Sequence, residues 1–155
     1  MSAGRVRSHL MEHGVAYGTK SHPLAFTANE VAEAEHVPGH RLAKAVMLMA
    51  GDSLVMAVVP GDAMVDLTKA ADALNVEEVR LAEEDEFSPS FPDCEIGAEP
   101  PFGSLYGVPM LVDSGLSASP ITFNGGTHTD TITMELEDYL TLTHPKRADL
   151  SVGTG

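Results

Sequence analysis

The stretch LAKAVMLMAGDSLVMAVVPGD, residues 42–62, decides the fold of this chain. Two runs of mostly apolar residues, Leu42–Ala50 and Ser53–Val59, are separated by only the dipeptide Gly-Asp. A glycine next to an aspartate between two such runs is typical of a tight β-hairpin turn. The sequence therefore predicts two strands joined by a turn, and the Pro-Gly-Asp of residues 60–62 ends the second strand.

Short helices and strands are predicted on both sides of this hairpin. Thr27-Ala-Asn-Glu30 is a capping box, in which each outer side chain bonds the backbone N–H of the other, and it opens a helix over 28–36. Apolar spacing and capping signals predict further helical segments at 4–13, 67–74, 83–87 and 135–142. Shorter strands are predicted at 15–20, 79–82, 109–113, 121–123 and 131–134. The pattern is that of one mixed α+β domain with a loose tail over 146–155.

The composition is that of a globular protein rather than a disordered or membrane-spanning one. The 155 residues are 43% hydrophobic and 21% charged, which allows one domain with a substantial core. No apolar run approaches the roughly 18 residues of a membrane span, and the N-terminus is too polar for a secretory signal. The single cysteine, Cys94, excludes an internal disulfide framework. We therefore expect a cytoplasmic protein with no membrane partner.

The net charge of −14 argues against a general nucleic-acid binder, which usually presents a basic face. The charge is unevenly distributed, however. Residues 1–44 contain five basic and four acidic residues, whereas residues 45–155 contain four basic and nineteen acidic residues. On the simplest interpretation the acidic surface serves solubility. If a polyanionic partner binds, we expect it to contact the first third of the chain.

Lys44 is the most unusual residue of the first hairpin strand. Along that strand it shares a face with Leu42, Val46 and Leu48, so its ammonium group would enter an apolar environment. Burial of an unpaired ammonium group is costly and lowers its pKa. Two interpretations remain open: Lys44 extends outward near the beginning of the strand, or it is held at the wall of a pocket and faces a carbonyl or phosphate group.

Two glycine-containing segments are also candidates for a site. His128 follows Gly125, Gly126 and Thr127 in a turn, where it is either an incidental surface residue or a donor, base or ligand. Residues 95–103, EIGAEPPFG, combine two glycines with two prolines. This composition suits a rigid loop rather than a helix or a central strand. Neither segment identifies a chemistry by itself.

The sequence lacks the patterns of several other catalytic classes. It has no G-x-S-x-G nucleophile elbow, no Walker or dinucleotide-binding glycine motif and no HExxH metal motif. Cys94 lies between acidic residues, which disfavour a reactive thiolate. His9 and His13 could share a helix face, but no cysteine or further ligand supports a zinc site. We predict neither a metal nor another cofactor.

Taken together, five segments resemble the YbaK/prolyl-tRNA-synthetase-associated family of aminoacyl-tRNA deacylases. They occur in the family's order within roughly residues 20–145: TANEVA (27–32), AKAVML (43–48), VVPGD (58–62), GAEPP (97–101) and FNGGTH (123–128). The resemblance implies a single α+β domain over 1–155 with a mixed and strongly curved β-sheet flanked by helices. It also implies a trans-editing hydrolase that cleaves the ester bond of a mischarged aminoacyl-tRNA without a covalent protein nucleophile.

The resemblance also assigns candidate site residues. Lys44 matches the family's pocket lysine, and the loop of residues 97–101 is expected to direct backbone N–H groups at an oxyanion. The residues expected to act in catalysis are Lys44, Gly97, Ala98 and His128. The residues expected to contact substrate are Thr27, Pro100, Pro101, Gly125, Gly126 and Thr127. The side chain of Glu99 is expected to point to solvent.

The expected partners are the acceptor end of a mischarged aminoacyl-tRNA and, as a second partner, an aminoacyl-tRNA synthetase. The chain has Thr-His after its glycine pair, where the cysteinyl branch of the family has basic residues, and this disfavours cysteinyl specificity. Two alternatives remain open. One is a non-catalytic module of the same fold that binds aminoacyl-tRNA or a small ligand, and the other is an esterase that acts on simple amino-acid esters.

Overall fold

The computed structural model describes residues 4–153, in which short helices alternate with short strands. The helices are α1 (Gly4–Glu12), α2 (Ala28–Glu35), α3 (Leu67–Leu74), α4 (Glu84–Phe87) and α5 (Leu136–Thr143). The strands are β1 (Tyr17–Ser21), β2 (Ala43–Ala50), β3 (Ser53–Pro60), β4 (Ala63–Val65), β5 (Arg80–Leu81), β6 (Met110–Asp113), β7 (Ile121–Asn124), β8 (Asp130–Met134), β9 (Lys146–Ala148) and β10 (Ser151–Gly153). Every helix and strand predicted above is confirmed. None of the described helices is long and apolar enough to cross a membrane.

The predicted hairpin forms the centre of the largest sheet. β2 and β3 pair antiparallel along their whole lengths, from Ala43 opposite Pro60 to Ala50 opposite Ser53. Gly51, in the two-residue turn, has a φ of 63°, a left-handed conformation that glycine adopts without steric cost. The glycine-first order of the turn dipeptide therefore still allows a tight connection.

The largest sheet is mixed and the helices alternate with the strands, which confirms the predicted α+β class. β5, β2, β3, β6 and β9 lie side by side, antiparallel around β2 and parallel where β3, β6 and β9 meet. β1, β8 and β7 form a three-stranded antiparallel sheet, and β4 pairs with β10. A β-bridge between Leu42 and Thr122 joins the five-stranded and three-stranded sheets. The beginning of β2 is therefore a point where two sheets meet.

Two apolar clusters contain residues from opposite faces of the hairpin. Met47 and Met56 belong to the larger cluster, together with buried aromatic residues of the second half of the chain. Leu48 and Val55 belong to the other cluster, together with residues of α3. Because side chains two apart along a strand face the same way, Lys44 lies on the Leu48 side of β2, as predicted.

The prediction of a loose tail is wrong for residues 146–153. β9 pairs with β6 at the edge of the five-stranded sheet, and β10 pairs with β4. Between them Leu150 is fully buried, and the carboxylate of Asp113 accepts hydrogen bonds from the Leu150 N–H and the Ser151 hydroxyl, both at 2.7 Å. These short strands form by pairing with β6 and β4. Both partners lie far away in sequence, so the residue pattern of 146–153 does not indicate the strands. Residues 154–155 lie outside the described part of the chain.

Candidate active site

A cavity of about 390 Å³ opens beside the first part of β2. Its walls come from β2, the beginning of α2, the segment around the end of β5, the 97–99 loop and the end of β7. Most of the lining side chains are apolar. The described lining residues with polar side chains are Thr27, Lys44, Glu99 and Asn124. An apolar cavity with a few polar groups is typical of sites for small molecules or for one part of a larger ligand.

Lys44 lies on the wall of this cavity, which agrees with the second of its two interpretations. Its Nζ donates a hydrogen bond to the carbonyl of Ala63, the first residue of β4, at 2.7 Å. Burial lowers the pKa of Lys44, and the nearby charge of Asp62 raises it. The bond to Ala63 holds the side chain of Lys44 in place. Because an ammonium group has three N–H donors, Lys44 still has donor capacity for a ligand.

The 95–101 loop presents Gly97 to the cavity. Gly97 has a φ of 89°, which a residue with a side chain rarely adopts. Its N–H donates to the carboxylate of Glu99, with N–O distances of 3.1 and 3.2 Å. The N–H of the fully buried Ala98 donates to the carbonyl of Glu95 at 3.0 Å. The N–H groups of Gly97, Ala98 and Glu99 were expected to face an oxyanion, and all three have hydrogen-bond partners within the loop, that of Glu99 being its own carboxylate.

Pro100 and Pro101 are buried behind the cavity wall. The carbonyl of Pro101 accepts a hydrogen bond from the hydroxyl of Tyr139 at 2.7 Å. Tyr139 is itself fully buried in α5, so this bond anchors the end of the loop to the core. The positions of the two prolines suit a role in holding the loop.

The prediction that Glu99 points to solvent is wrong. Only 8% of its surface is exposed, and it lines the cavity. Burial raises the pKa of Glu99, while hydrogen bonds from its own N–H and from the Gly97 N–H lower it. The carboxylate is turned inward because the backbone N–H groups of the tight loop attract it, and a residue's charge alone does not reveal such a local partner.

His128 lies directly behind Gly97 rather than in the wall of the cavity. Its Nε2–H donates to the carbonyl of Ile96, and its backbone N–H donates to the carboxylate of Glu95, both at 2.7 Å. A Cβ atom at Gly97 would lie 3.4 Å from Cε1 of His128. Lys44 and Gly97 therefore line the cavity together, whereas His128 does not border it and instead supports the loop from behind.

Gly125, Gly126 and Thr127 form the turn before this histidine and lie outside the described cavity wall. The carbonyl of Gly126 accepts a hydrogen bond from the N–H of Glu95 at 2.8 Å. The hydroxyl of Thr127 donates to the carboxylate of Asp130 at 2.7 Å, and this bond is the main reason for the lowered pKa of that carboxyl. The turn is thus placed to hold the histidine and the neighbouring loop together.

The family comparison agrees with the positions of these motifs. The sequence matches the family model of the aminoacyl-tRNA editing domain over residues 22–142. The chain belongs to the aminoacyl-tRNA editing domain family. The matched range lies within the segment 20–145 that carries the five sequence motifs, so the resemblance inferred from them is confirmed.

Solved structures share the fold of this editing domain. A protein described as a candidate trans-editing enzyme for prolyl-tRNA synthetase is 26% identical, with a TM-score of 0.85 over 98% of each chain. A protein used as a scaffold for grafted linear epitopes is 25% identical, with a TM-score of 0.84 over 98% of this chain and 97% of the other. A hypothetical protein at 19% identity has a TM-score of 0.85 over 96% and 99%, respectively. No curated protein matches the sequence significantly.

The editing domain's cavity contains two residues that the sequence motifs do not assign. Phe26, 61% exposed, lines the cavity and packs on His128 with ring centroids 4.7 Å apart. Asn124 ends β7, and its Oδ1 is buried. Thr27, by contrast, lines the cavity and accepts the Glu30 N–H at 3.1 Å, as its capping box requires. Phe26 directly precedes the TANEVA motif and Asn124 lies within FNGGTH, and these positions are the signal that could have identified the two residues.

The described lining of the cavity contains two residues with charged side chains, Lys44 and Glu99. Within residues 4–153 no group of three or more His, Cys, Asp or Glu side chains is placed to hold a metal ion. Burial raises the pKa of Cys94 to about 11, so this thiol stays protonated at neutral pH. The editing domain's cavity offers instead the ammonium group of Lys44, the carboxylate of Glu99 and the backbone of Gly97.

Proposed function

We propose that this chain is a trans-editing hydrolase that cleaves the ester bond between a mischarged amino acid and its tRNA. The observation that carries the proposal is the cavity shared by Lys44 and Gly97, with His128 packed directly behind the glycine. The solved structure described as a candidate trans-editing enzyme for prolyl-tRNA synthetase supports the same class of substrate.

The ester of an aminoacyl-tRNA is already activated, so its hydrolysis needs charge stabilisation more than a protein nucleophile. Water attacks the ester carbonyl, the bond to the ribose oxygen breaks, and the proton of the water passes to that oxygen. The developing negative charge is stabilised by the backbone N–H of Gly97 and by the ammonium group of Lys44. Where one donor of an oxyanion hole has been removed from an enzyme, the loss costs about 2.7–4 kcal/mol of transition-state stabilisation, and this figure applies here to the Gly97 N–H.

Gly97 is the better oxyanion donor of the two adjacent residues. Its N–H is held by the side chain of Glu99, which can move, whereas the N–H of Ala98 is held by the backbone carbonyl of Glu95. Ala98 is also fully buried. In this proposal Gly97 exchanges the carboxylate for the oxyanion, Ala98 keeps the loop closed, and His128 supports both from behind.

The cavity acts as the second sieve of the editing reaction. Its volume of about 390 Å³ lies near the lower end of the range of about 300–1,000 Å³ typical of small-molecule sites. Apolar residues of the lining such as Met47 and Phe87, which belong to the same apolar cluster, limit the size of the amino acid that enters. A second site that sorts by size is useful because a synthetase separates small apolar side chains poorly by binding alone.

The proposed partners are the acceptor end of the tRNA and an aminoacyl-tRNA synthetase, in the cytoplasm where translation takes place. The strongly negative charge makes a broad tRNA-binding surface unfavourable, and the first third of the chain is the region where basic residues balance acidic ones. There the side chain of Lys20 is 63% exposed. Arg5, by contrast, is 3.3 Å from Asp93 and stacks on Tyr106.

One observation favours the alternative of a non-catalytic binding module. The N–H groups of Gly97 and Ala98 both have partners within the loop, so no oxyanion site stands open at these two positions. A module that only binds aminoacyl-tRNA would need the cavity but not these donors.

A deacylation assay over a panel of mischarged tRNAs tests the proposal. The parent protein should hydrolyse at least one of them, and Lys44→Ala should hydrolyse it much more slowly. No turnover on any tRNA would favour the binding module. Equal turnover by the parent and Lys44→Ala would contradict the assignment of the site, and fast turnover of simple amino-acid esters without tRNA would indicate an esterase.

A further inference from the structure

We propose that Glu99 and Asn124 form the subsite that binds the α-ammonium group of the aminoacyl ester. This inference rests on the proposed function, because an aminoacyl ester carries a free ammonium group next to its carbonyl. The two side chains are acceptors, they line the same cavity, and neither belongs to the residues that the sequence motifs assign to catalysis.

Glu99 is the acidic residue among the described residues that line the cavity. Only 8% of its surface is exposed, and its hydrogen bonds come from the backbone N–H groups of Gly97 and of Glu99 itself. No ion pair of the described residues involves it. A buried carboxylate without a paired cation is costly, and burial accordingly raises its pKa. A cationic ligand group would offset that cost.

Asn124 supplies a second, independent observation. Its Oδ1 is buried and accepts no hydrogen bond from any described residue. Buried acceptors in folded proteins nearly always have a partner, so an unpartnered one on a residue that lines a cavity points to a ligand that donates when the side chain turns toward it. An ammonium group donates up to three hydrogen bonds and could satisfy both Asn124 and Glu99.

The two charged groups of the cavity lie in separate environments. Lys44 bonds the carbonyl of Ala63 and interacts with Asp62, whereas Glu99 interacts with Gly97 and His128. An aminoacylated ribose has a matching order of charges. Its ammonium group lies on one side of the ester carbonyl, and its nearest phosphate lies on the other side, beyond the ribose. The cavity lining therefore offers an acceptor group for the ammonium and a separate cation for the carbonyl or phosphate.

Binding of the ammonium group would also prepare the oxyanion site. The carboxylate of Glu99 now accepts the N–H of Gly97 at 3.1 and 3.2 Å. When Glu99 turns to the ammonium, this N–H becomes available to the ester oxygen. No proton is transferred, because one hydrogen-bond donor of the carboxylate is exchanged for another. Glu99 is thus a specificity residue that couples recognition of the free amine to exposure of the donor.

The test compares two non-hydrolysable ligands on the full chain. In one, alanine is amide-linked to 3′-amino-3′-deoxyadenosine, and in the other a propionyl group replaces alanine, so that hydrogen stands where the ammonium was. By calorimetry the parent should bind the alanyl ligand about 10- to 100-fold more tightly, the range expected for hydrogen bonds to a charged group. Glu99→Gln should reduce this ratio to within about threefold of one, because the amide still accepts the Gly97 N–H but carries no charge.

Glu84→Gln is the matched control. Glu84 is exposed, and its charge contributes to the raised pKa of Glu99, but it is outside the described cavity wall. This variant should keep the parent's binding ratio. Asn124→Ala is a second variant, which should lower the ratio by about threefold or more even if Glu99→Gln does not fold.

The results separate this inference from the proposed function. A binding ratio near one in the parent, or an unchanged ratio in Glu99→Gln, overturns the ammonium subsite. If the parent binds the alanyl ligand preferentially but deacylates no mischarged tRNA, the ammonium subsite is supported and the proposed hydrolase function is contradicted. If the parent is active, Glu99→Gln should lower kcat/KM on the preferred tRNA about tenfold or more.

Discussion

Two parts of the cavity wall, called here the lysine end and the loop end, are built in different ways. The lysine end, Lys44 with the carbonyl of Ala63, belongs to β2, which pairs with β3 over all eight of its residues. The loop end, Gly97 with Glu99, has no strand pairing. Contacts between two loops hold it, including the bond from the imidazole of His128 to Ile96. The sheet fixes one end through many hydrogen bonds, and a few polar contacts fix the other, so the loop end should be the more sensitive to substitution.

Gly97→Val should show the largest effect, because it changes the loop end at its most constrained residue. A side chain at a φ of 89° strains the backbone, and its Cβ would lie 3.4 Å from His128. We expect deacylation to fall by about 10²–10³, the usual effect of losing an oxyanion donor, and stability to fall by about 1–3 kcal/mol. Steady-state kinetics and denaturant unfolding measure the two changes.

Gly107→Val is the control for backbone strain. Gly107 has a φ of 72°, and a Cβ there would meet no atom within 4 Å. Its stability should fall by a similar amount while its activity stays near that of the parent. Equal losses of activity in the two variants would mean that general destabilisation, and not the loop geometry, explains the effect at Gly97.

Lys44→Ala should disrupt the lysine end, and the loss of activity should be smaller than in Gly97→Val. We expect kcat/KM to fall about 10- to 100-fold, since a charged donor is removed while the loop end stays intact. Stability should fall by about 1 kcal/mol, because one hydrogen bond to Ala63 is lost. Lys69→Ala is the matched control, since Lys69 bonds Asp149 and Ser151 away from the described cavity wall. An equal loss of activity in the control would count against a specific role of Lys44.

Glu95→Ala should loosen the loop end without touching the cavity. The carboxylate of Glu95 accepts the backbone N–H of His128 at 2.7 Å, and Glu95 is exposed, so we expect a stability loss of about 1 kcal/mol. Activity should fall about tenfold, and the amide of His128 should exchange with deuterium faster. Glu95→Gln keeps an acceptor and should restore most of the activity and most of the protection of the His128 amide. Unchanged exchange at His128 in Glu95→Ala would show that this contact does not hold the loop.

Glu99→Gln should change the free energy of unfolding the least, and it should raise stability where the other variants lower it. The pKa of Glu99 in the folded state is raised above its ordinary value of 4.5. Below pH 4.5 the carboxyl is protonated in both the folded and unfolded states, and as the pH rises through the raised pKa, ionisation destabilises the folded state. The variant should therefore be more stable than the parent at pH 7, and the difference should shrink below pH 4.5. A difference that does not vary with pH would contradict the buried ionised carboxylate.

Most of the fold could be predicted from local signals. The hairpin of β2 and β3 follows from two apolar runs joined by a glycine-containing dipeptide, and the beginning of α2 follows from Thr27 and Glu30. These signals are sufficient because the residues that stabilise each element are neighbours in sequence. The edge strands β9 and β10 could not be predicted in this way, because Asp113 and the strands that pair with them are remote.

The residues of the candidate site also differ in whether the sequence reveals them. Lys44, Gly97 and His128 are recognisable from their motifs, and the structure places Lys44 and Gly97 on one cavity with His128 behind the loop. The inward position of Glu99 is not recognisable. An acidic residue in a loop of glycine and proline residues is usually exposed, and here backbone N–H groups of its own loop draw it inward.

The sequence alone determined the helices, most of the strands, the central hairpin and the family to which the chain belongs; the short strands β4, β9 and β10 were not among its predictions. The predicted features depend on turn residues, caps and apolar periodicity, which act over a few positions. The tertiary structure decided which groups share the cavity, that His128 supports Gly97 from behind, and that Glu99 and Asn124 face inward. Burial and hydrogen-bond partners set those properties, and both depend on segments brought together only by folding.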